Sequence, residues 1–281
     1  MLLSKSTSLN LWLALCASAL TSCSAPPAKI TQLPKEVKSA AISATPVVKK
    51  PRKQQKILLT KSHKINHNNI TFNILTYDSR SNYLEVADQS AGPGSLWRDS
   101  ETAAKSKAGI AAINAGFFTP EGKPLGLIID DGVKRGSFNK SSLGAGIYYT
   151  TDSGAKIARS RHWSIISKTK PKYLLQSGPM LVELSSPVKG LSTKSSRVRS
   201  FIATDNANHW IIGHASECTL DELAKALNTI KIPNFTLKTA LNLDGGRSSD
   251  LWVAASVTGG PKTVRAFWNK SVRNFLVLKK K

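Results

Sequence analysis

The strongest constraint on the fold is a series of short β-branched and aromatic runs that begins at Ile57 and is interrupted by turn residues. Four pairs of such runs flank turn sequences at 78–81, 131–132, 152–154 and 205–206. Runs of this length, separated by Gly, Asn, Asp and Ser, are typical of strands joined as hairpins. The pattern therefore predicts a domain built mainly from antiparallel sheet.

Two segments depart from this pattern and predict helices. Residues 99–108 are rich in Ala, Lys and Glu, which favour helix. In the second segment, Thr219 is placed as an N-cap with Glu222 as its capping-box partner, ahead of an apolar stripe at 223–227. We expect an α+β fold, a β-rich domain of packed, mainly antiparallel sheets with flanking helices.

The N-terminal residues 1–22 predict a lipoprotein signal peptide. The apolar run from Leu9 to Leu20 has ~12 residues, fewer than the roughly 20 of a membrane-spanning helix. It leads into Leu20-Thr21-Ser22-Cys23, which matches the bacterial lipobox and predicts lipidation of Cys23. Ser24 favours sorting to the outer membrane, with the protein facing the periplasm. The alternative is an ordinary secretory signal cut after a small residue such as Ala19.

Residues 23–56 predict a disordered basic linker, because they are rich in Ala, Ser, Pro and Lys and contain no aromatic residue. The folded domain is expected at 57–281. Many of the positive charges behind the formal net charge of +23 lie in the linker, and the others are scattered. This distribution argues against nucleic-acid binding and favours anionic lipid or glycan surfaces; a solvated basic surface without a specific partner is the alternative. Cleavage and acylation would leave only Cys218, so no internal disulfide is expected.

The loop from Asn242 to Ser249 is the first candidate for chemistry. Side-chain alternation sends Asn242 and Asp244 to the same face of the strand that precedes the loop. The two glycines permit positive φ and close approach of a phosphate or sugar oxygen. The alternative is a polar turn in which Asp244 caps its own backbone. The candidate site residues in this loop are Asn242, Asp244, Gly245, Gly246 and Ser248.

Three further segments place polar groups at strand ends or in turns beside strands. Asn114 follows an apolar run, and Gly116 leaves room for a ligand beside it. Arg197 and Arg199 are expected on one strand face, where a guanidinium could fork a phosphate; solvated arginines are the alternative. The candidate substrate-binding residues in these segments are Asn114, Gly116, Gln176, Ser177, Gly178 and Arg199.

These segments, in this order, resemble the phosphodiester glycosidase family, relatives of the mannose 6-phosphate uncovering enzyme, N-acetylglucosamine-1-phosphodiester α-N-acetylglucosaminidase. The resemblance covers most of residues 70–278. The matching positions are Asn114, Gly116, Phe117, Gln176 to Pro179, Arg199, Thr219, Leu220, Glu222, Leu223, Asn242 to Gly246, Ser248 and a final strand at 272–278. The resemblance implies hydrolysis of a sugar 1-phosphodiester at its glycosidic bond, which releases the sugar and leaves a phosphomonoester. Arg247 stands where many relatives have glycine, so sugar and aglycone stay unspecified.

Glycosidic cleavage generally uses two carboxyl groups. Asp244 is the first catalytic candidate and Glu222 the second, although the capping box explains Glu222 without catalysis. Because phosphate is a good leaving group, Arg199 and the glycine loop could supply much of the transition-state stabilisation. No cofactor is predicted, and an oxygen-ligated Ca²⁺ or Mg²⁺ near Asp244 stays as an alternative.

Two function classes follow from these observations. The first is an envelope-anchored hydrolase that acts on a sugar 1-phosphodiester. The alternative is a noncatalytic envelope lipoprotein that binds glycans or phosphosugars in the same pocket. The oligomeric state is left open.

Overall fold

The structure, a computed structural model, describes residues 56–281. The expected signal peptide at 1–22, the lipidation site Cys23 and all but the last residue of the expected linker lie outside the described residues. No helix within 56–281 is long and apolar enough to cross a membrane.

Strands of the described region, numbered in chain order, form three antiparallel sheets. The first sheet has the order β1 (Lys61–His67), β2 (Ile70–Asp78), β13 (His209–Cys218), β12 (Arg197–Thr204), β14 (Thr239–Asn242), β10 (Met180–Glu183) and β11 (Ser186–Pro187). The second has β16 (Lys262–Val264), β15 (Leu251–Val253), β4 (Ala111–Asn114), β17 (Asn274–Lys280) and β3 (Asn82–Asp88). The third has β6 (Val133–Arg135), β5 (Ile128–Asp130), β9 (Leu174–Ser177), β7 (Gly146–Thr151) and β8 (Gly154–Arg159).

The main core lies between the first sheet and the other two. Its fully buried side chains include Leu75, Ile202, Trp210 and Leu241 from the first sheet, Leu84, Ile113 and Leu276 from the second, and Ile128, Tyr148 and Leu175 from the third. Each sheet also buries apolar side chains on its outer face, and strands such as β2, β13 and β17 are buried along most of their length. The β-rich α+β fold expected from the sequence is confirmed.

Short helices cover these outer faces. Helix α3 (Leu220–Thr229) packs on the first sheet through an apolar stripe that includes Leu223 and Leu227. Helix α1 (Ser100–Ser106) places Ala103 and Ala104 against the second sheet, and α2 (Trp163–Ile166) places Ile166 against the third. Both sequence-predicted helices are therefore confirmed, α1 starting after Asp99 as its N-cap.

Three of the four expected hairpins are present, namely β5–β6, β7–β8 and β12–β13. The hairpin expected through 78–81 is wrong: β2 pairs with β1 and β13, whereas β3 pairs with β17 in the second sheet. The physical reason is that both strands are buried on two faces. Leu75 and Leu84 reach the same core from opposite layers, so the turn carries the chain across the core.

Candidate active site

Asn114, at the end of β4, fixes the backbone of the glycine loop. Its buried side-chain amide donates to the carbonyl oxygen of Asp244 at 2.7 Å. Its Oδ1 accepts from Ser200 Oγ at 2.6 Å and from the main-chain N–H of Asp250 at 3.0 Å. The amide that sequence analysis placed in substrate binding is thus engaged within the protein, where it ties three strand ends together.

Asn242 connects the glycine loop to the turn before β10. Its Nδ2 donates to the carbonyl of Gly178 at 2.8 Å, and Ser177 Oγ donates to the carbonyl of Asn242 at 2.9 Å. The side-chain Oδ1 of Asn242 is buried and has no partner among the described residues. An unpaired buried acceptor costs free energy, which makes this oxygen a fitting partner for a hydroxyl of a ligand.

Gln176 clamps a neighbouring loop. Its buried Nε2 donates to the carbonyls of Asn139 and Gly144 at 2.7 and 2.8 Å. Its Oε1 accepts from the main-chain N–H groups of Leu127 and Asn139 at 3.1 and 2.9 Å. All four of these bonds run to backbone, so the amide of Gln176 organises the loop that borders Gly178 and does not face a ligand.

Gly116 meets a residue that sequence analysis missed, Asn274. The N–H of Gly116 donates to Asn274 Oδ1 at 2.6 Å, and a Cβ at Gly116 would lie 2.9 Å from Leu175. The Nδ2 of Asn274 is buried without a partner among residues 56–281. An asparagine at the first position of the last strand, where apolar residues dominate, was the available sequence signal.

Asp250 is a second residue missing from the sequence-based site. Its carboxylate accepts from Ser100 Oγ at 2.6 Å and from Arg265 Nη1 at 2.9 Å. Burial raises the pKa of Asp250, against hydrogen bonds from Ser100 and Arg265. Because its main-chain N–H binds Asn114, Asp250 links α1 to the far end of the glycine loop.

Asp244 is the residue of the loop best placed for chemistry. Its side chain is partly exposed, and its Oδ1 accepts from the N–H of Gly245 at 2.9 Å. Burial raises the pKa of Asp244 to about 6, although hydrogen bonds from Ser248 and Gly245 act in the opposite direction. A carboxyl group with this pKa exchanges protons near neutral pH, as general acid–base catalysis requires.

Arg199 lies next to the loop, on the face of the first sheet that α3 covers. Arg199 is paired with Ala215, which packs under α3. Its Nε donates to the carbonyl of Cys218 at 3.0 Å, and its Nη2 donates to the carbonyl of Ser195 at 2.6 Å. A Cβ at Gly245 would lie 3.7 Å from Arg199 Cδ. The arginine and the glycine loop are therefore in close proximity, as the sequence suggested.

Arg197 pairs with Cys218, which packs under α3 as Ala215 does, so the register keeps Arg197 near Arg199. The β12–β13 ladder shifts register between the two arginines, as at a β-bulge. Arg197 lines a cleft together with Gly246 and Arg247. Both guanidinium groups bind Ser195, Arg197 through its Nε to the hydroxyl at 3.3 Å and Arg199 through its Nη2 to the carbonyl at 2.6 Å. Burial, and then the positive charge of Arg197, lower the pKa of Arg199.

Glu222 forms the capping box expected from the sequence. Its Oε2 accepts from the main-chain N–H of Thr219 at 2.8 Å and from the Thr219 hydroxyl at 3.0 Å. These hydrogen bonds from Thr219 lower the pKa of the exposed Glu222 carboxyl. The carboxylate thus has a structural partner, and its catalytic role stays a prediction.

Residues 56–281 contain no ready-made cluster of metal-ligating side chains. Within residues 56–281, no three His, Cys, Asp or Glu side chains are grouped as a metal site would require. Carbonyl oxygens and a single carboxylate also bind Ca²⁺, so the alternative of an oxygen-ligated cation at Asp244 is left to experiment.

Comparisons with known proteins show the family to which this sequence is similar. The phosphodiester glycosidase family model matches residues 107–279, which include every site residue described above except Ser100. No curated protein matches the chain.

Two solved structures share the fold. The catalytic domain of zebrafish N-acetylglucosamine-1-phosphodiester α-N-acetylglucosaminidase, auto-inhibited by its pro-peptide, has 17% identity and a TM-score of 0.57, over 82% of this chain and 86% of that one. A hypothetical protein from Synechocystis has 15% identity and a TM-score of 0.53, over 78% and 61% of the respective chains. From the family match, the chain belongs to the phosphodiester glycosidase family.

Proposed function

We propose that the protein is an envelope-anchored hydrolase that cleaves the glycosidic bond of a sugar 1-phosphodiester, with Asp244 at the reacting bond. The observation that carries the proposal is the position of Asp244. Its loop is bound by Asn114, its strand is tied to Ser177 and Gly178, and its carboxyl is left partly exposed with a pKa of about 6.

The proposed reaction uses Asp244 in its ionised form, as the nucleophile or as the base that activates water. A phosphomonoester is a good leaving group, so protonation of its oxygen contributes less than stabilisation of its charge. Two of the five N–H groups of Arg199 are bound to protein carbonyls, and the others would reach the departing phosphate. The unpaired Oδ1 of Asn242 would accept a hydrogen bond from a sugar hydroxyl.

The decisive experiment compares wild type and Asp244→Asn on a panel of sugar 1-phosphodiesters, with release of free sugar and of phosphomonoester both quantified. We expect the variant to lose turnover by at least about 10³-fold while keeping its fold, since it loses the carboxylate that acts as nucleophile or base at the bond. Asp152→Asn, which removes an exposed carboxylate in the β7–β8 turn, is the matched control. Equal turnover of wild type and Asp244→Asn would refute the assignment.

The second candidate function is binding without catalysis. It is favoured by the engagement of Asn114 and Gln176 with backbone and by the capping role of Glu222, which leave Asp244 as the one acidic residue within the loop 242–249. A noncatalytic protein would show saturable binding of phosphosugars with no product from any member of the panel.

The reaction as proposed needs no cofactor. Turnover should therefore survive dialysis against a chelator. If an oxygen-ligated Ca²⁺ or Mg²⁺ is held at Asp244 instead, chelation would abolish turnover and the added cation would restore it.

Anchoring rests on Cys23, in the lipobox Leu20-Thr21-Ser22-Cys23. We expect wild type to incorporate a labelled fatty acid and to fractionate with the outer membrane. Cys23→Ser should lose the label and leave the membrane fraction. A Cys23→Ser protein that still fractionates with membrane after a salt wash would contradict the lipid anchor.

A further inference from the structure

A cleft of about 430 Å³ lies beside the glycine loop but is not lined by Asp244. Its walls come from the start of β12, the second half of β13, β16 with the loop that follows it, and the loop segment that includes Gly246 and Arg247. In the β12–β13 ladder, His214, which lines this cleft, lies opposite Ser200. Arg199 lies opposite Ala215, which packs beneath α3. Neighbouring residues of a strand point to opposite faces, so His214 points to the other face of the sheet from Arg199.

The cleft carries excess positive charge. Three arginines line it against one glutamate, Glu217. Arg265 is paired with Asp250 at 2.9 Å. Arg247 donates through Nε and Nη2 to the carbonyl of Trp268, at 3.3 and 3.0 Å, and Arg197 donates to a serine hydroxyl. The Trp268 carbonyl and the serine hydroxyl are neutral, so they do not offset the positive charges of Arg247 and Arg197. Each of these two guanidinium groups also has further N–H donors for an anion.

An aromatic surface stands beside the arginines. Trp268 lines the cleft and is 56% exposed, and Phe267, which is 93% exposed, packs edge-on against it with ring centroids 4.6 Å apart. Large aromatic side chains are costly to leave in water. An exposed indole next to charged N–H donors suits a ligand that has both a stacking face and an anionic group, as an acidic sugar has.

His214 supplies a polar group at the floor of the cleft. It is 8% exposed, and its Nδ1 is buried with no partner among residues 56–281. Burial lowers the pKa of His214 to about 4, so the imidazole is neutral at physiological pH. A neutral imidazole exchanges hydrogen bonds with hydroxyl groups, which are abundant on sugars.

We infer that this cleft binds the phosphate or carboxylate of a sugar residue next to the one acted on at Asp244, with Trp268 stacking on the ring and Arg197 and Arg247 holding the anion. The inference rests on the proposed function and deepens it: the substrate class becomes an anionic glycan of more than one unit.

The test is direct binding to the full chain carrying Cys23→Ser, so that no lipid anchor contributes. Glucose 6-phosphate, glucuronic acid and glucose are titrated by calorimetry at fixed salt. We expect the two acidic sugars to bind and glucose to bind more weakly; the better of the two acids identifies phosphate or carboxylate as the anion. The double variant Arg197→Gln/Arg247→Gln should weaken acidic-sugar binding about tenfold or more.

Matched variants separate this site from other sources of affinity. Arg161→Gln removes an exposed arginine outside the cleft and should leave binding unchanged. Trp268→Ala should weaken both acidic sugars. Equal affinity of wild type and the double arginine variant for both acidic sugars would overturn the inference. So would binding of phosphatidylglycerol vesicles, lost in Trp268→Ala, by a protein that binds neither acidic sugar.

The binding measurement can be made whether or not the protein is a hydrolase. Neither acidic monosaccharide contains the bond to be cleaved, so binding at the arginine cleft is measured whether or not Asp244 is catalytic. A protein that binds acidic sugars but turns over no sugar 1-phosphodiester refutes the proposed function alone. A protein that hydrolyses the panel, with arginine variants that bind acidic sugars as wild type does, refutes the subsite alone.

Discussion

The side-chain amide of Asn114 donates a 2.7 Å hydrogen bond to the main-chain carbonyl of Asp244, so one strand end of the second sheet holds the loop that follows a strand of the first. The same side chain accepts from Ser200 and Asp250. Because all of these partners belong to the protein, the loop is positioned before any ligand arrives, and no binding energy is needed to order it.

Asn114→Ala should therefore destabilise the whole domain. The change leaves three buried polar groups unpaired and opens a small cavity, for which we expect a loss of about 3 kcal/mol in the free energy of unfolding. Urea unfolding followed by circular dichroism measures it. Asn66→Ala, at an exposed strand position, is the control and should change stability by less than about 0.5 kcal/mol. Equal midpoints for the two variants would contradict the structural role of Asn114.

Asp244→Asn should stabilise the protein above pH 6. The folded-state pKa of about 6 lies above the ordinary value of 3.8, so the folded state binds this proton more tightly than the unfolded state does. The stabilisation that protonated Asp244 contributes to the folded state is fully present below about pH 4 and is lost as the pH rises through about 6. After allowance for weaker hydrogen bonds to Ser248 and Gly245, we expect a gain of about 2 kcal/mol at pH 8.

At pH 4 this difference between Asp244→Asn and wild type should vanish or change sign, because both side chains are then neutral. Thermal unfolding at several pH values gives the comparison. A difference that is the same at pH 4 and pH 8 would show that the ionisation of Asp244 is not its source.

Turnover should follow the same ionisation. If Asp244 reacts as the carboxylate, kcat/KM should rise with pH and level off above an apparent pKa near 6. A profile measured from pH 4 to 9 on the best sugar 1-phosphodiester tests this expectation. A rate that falls with rising pH through 6 would instead assign Asp244 as a proton donor.

Local sequence signals predicted the secondary structure well where one short segment decides the outcome. The capping box of Thr219 and Glu222 and the turns at 131–132, 152–154 and 205–206 depend on neighbouring residues alone, and all are present. The turn at 78–81 has similar composition but joins two sheets. The difference is that the strands on either side of this turn, β2 and β3, are buried on both faces. That burial depends on sheets formed by residues far away along the chain.

For the site, the sequence located the right segments but not the role of each side chain. Asn114, Gln176 and Asn242 stand at strand ends as expected, yet most of their hydrogen bonds run to backbone. A polar residue that binds a ligand and one that binds a loop look alike in sequence. Asn274 and Asp250 were missed because the site residues that they bind, Gly116 and Asn114, lie more than 130 positions away along the chain.

Gln176→Leu should loosen the loop that borders Gly178. The substitution keeps the volume but deprives Asn139, Gly144 and Leu127 of their buried partners. We expect a loss of about 3 kcal/mol in unfolding free energy and faster amide exchange at Leu127 and Asn139. Hydrogen exchange resolved by peptide would detect it. Unchanged protection in residues 127–144 would contradict the clamp.

Glu222→Gln separates capping from catalysis. Glutamine at this position retains an oxygen that accepts from Thr219, so the capping box persists and stability should stay close to that of wild type. If the Glu222 carboxylate only caps the helix, turnover should stay within about twofold of wild type, because its charge then takes no part in cleavage of the glycosidic bond. Thr219→Val, which removes the cap hydroxyl, is the structural control and should cost about 1 kcal/mol. A fall in turnover of about 100-fold in Glu222→Gln, with stability intact, would identify Glu222 as the second catalytic carboxylate.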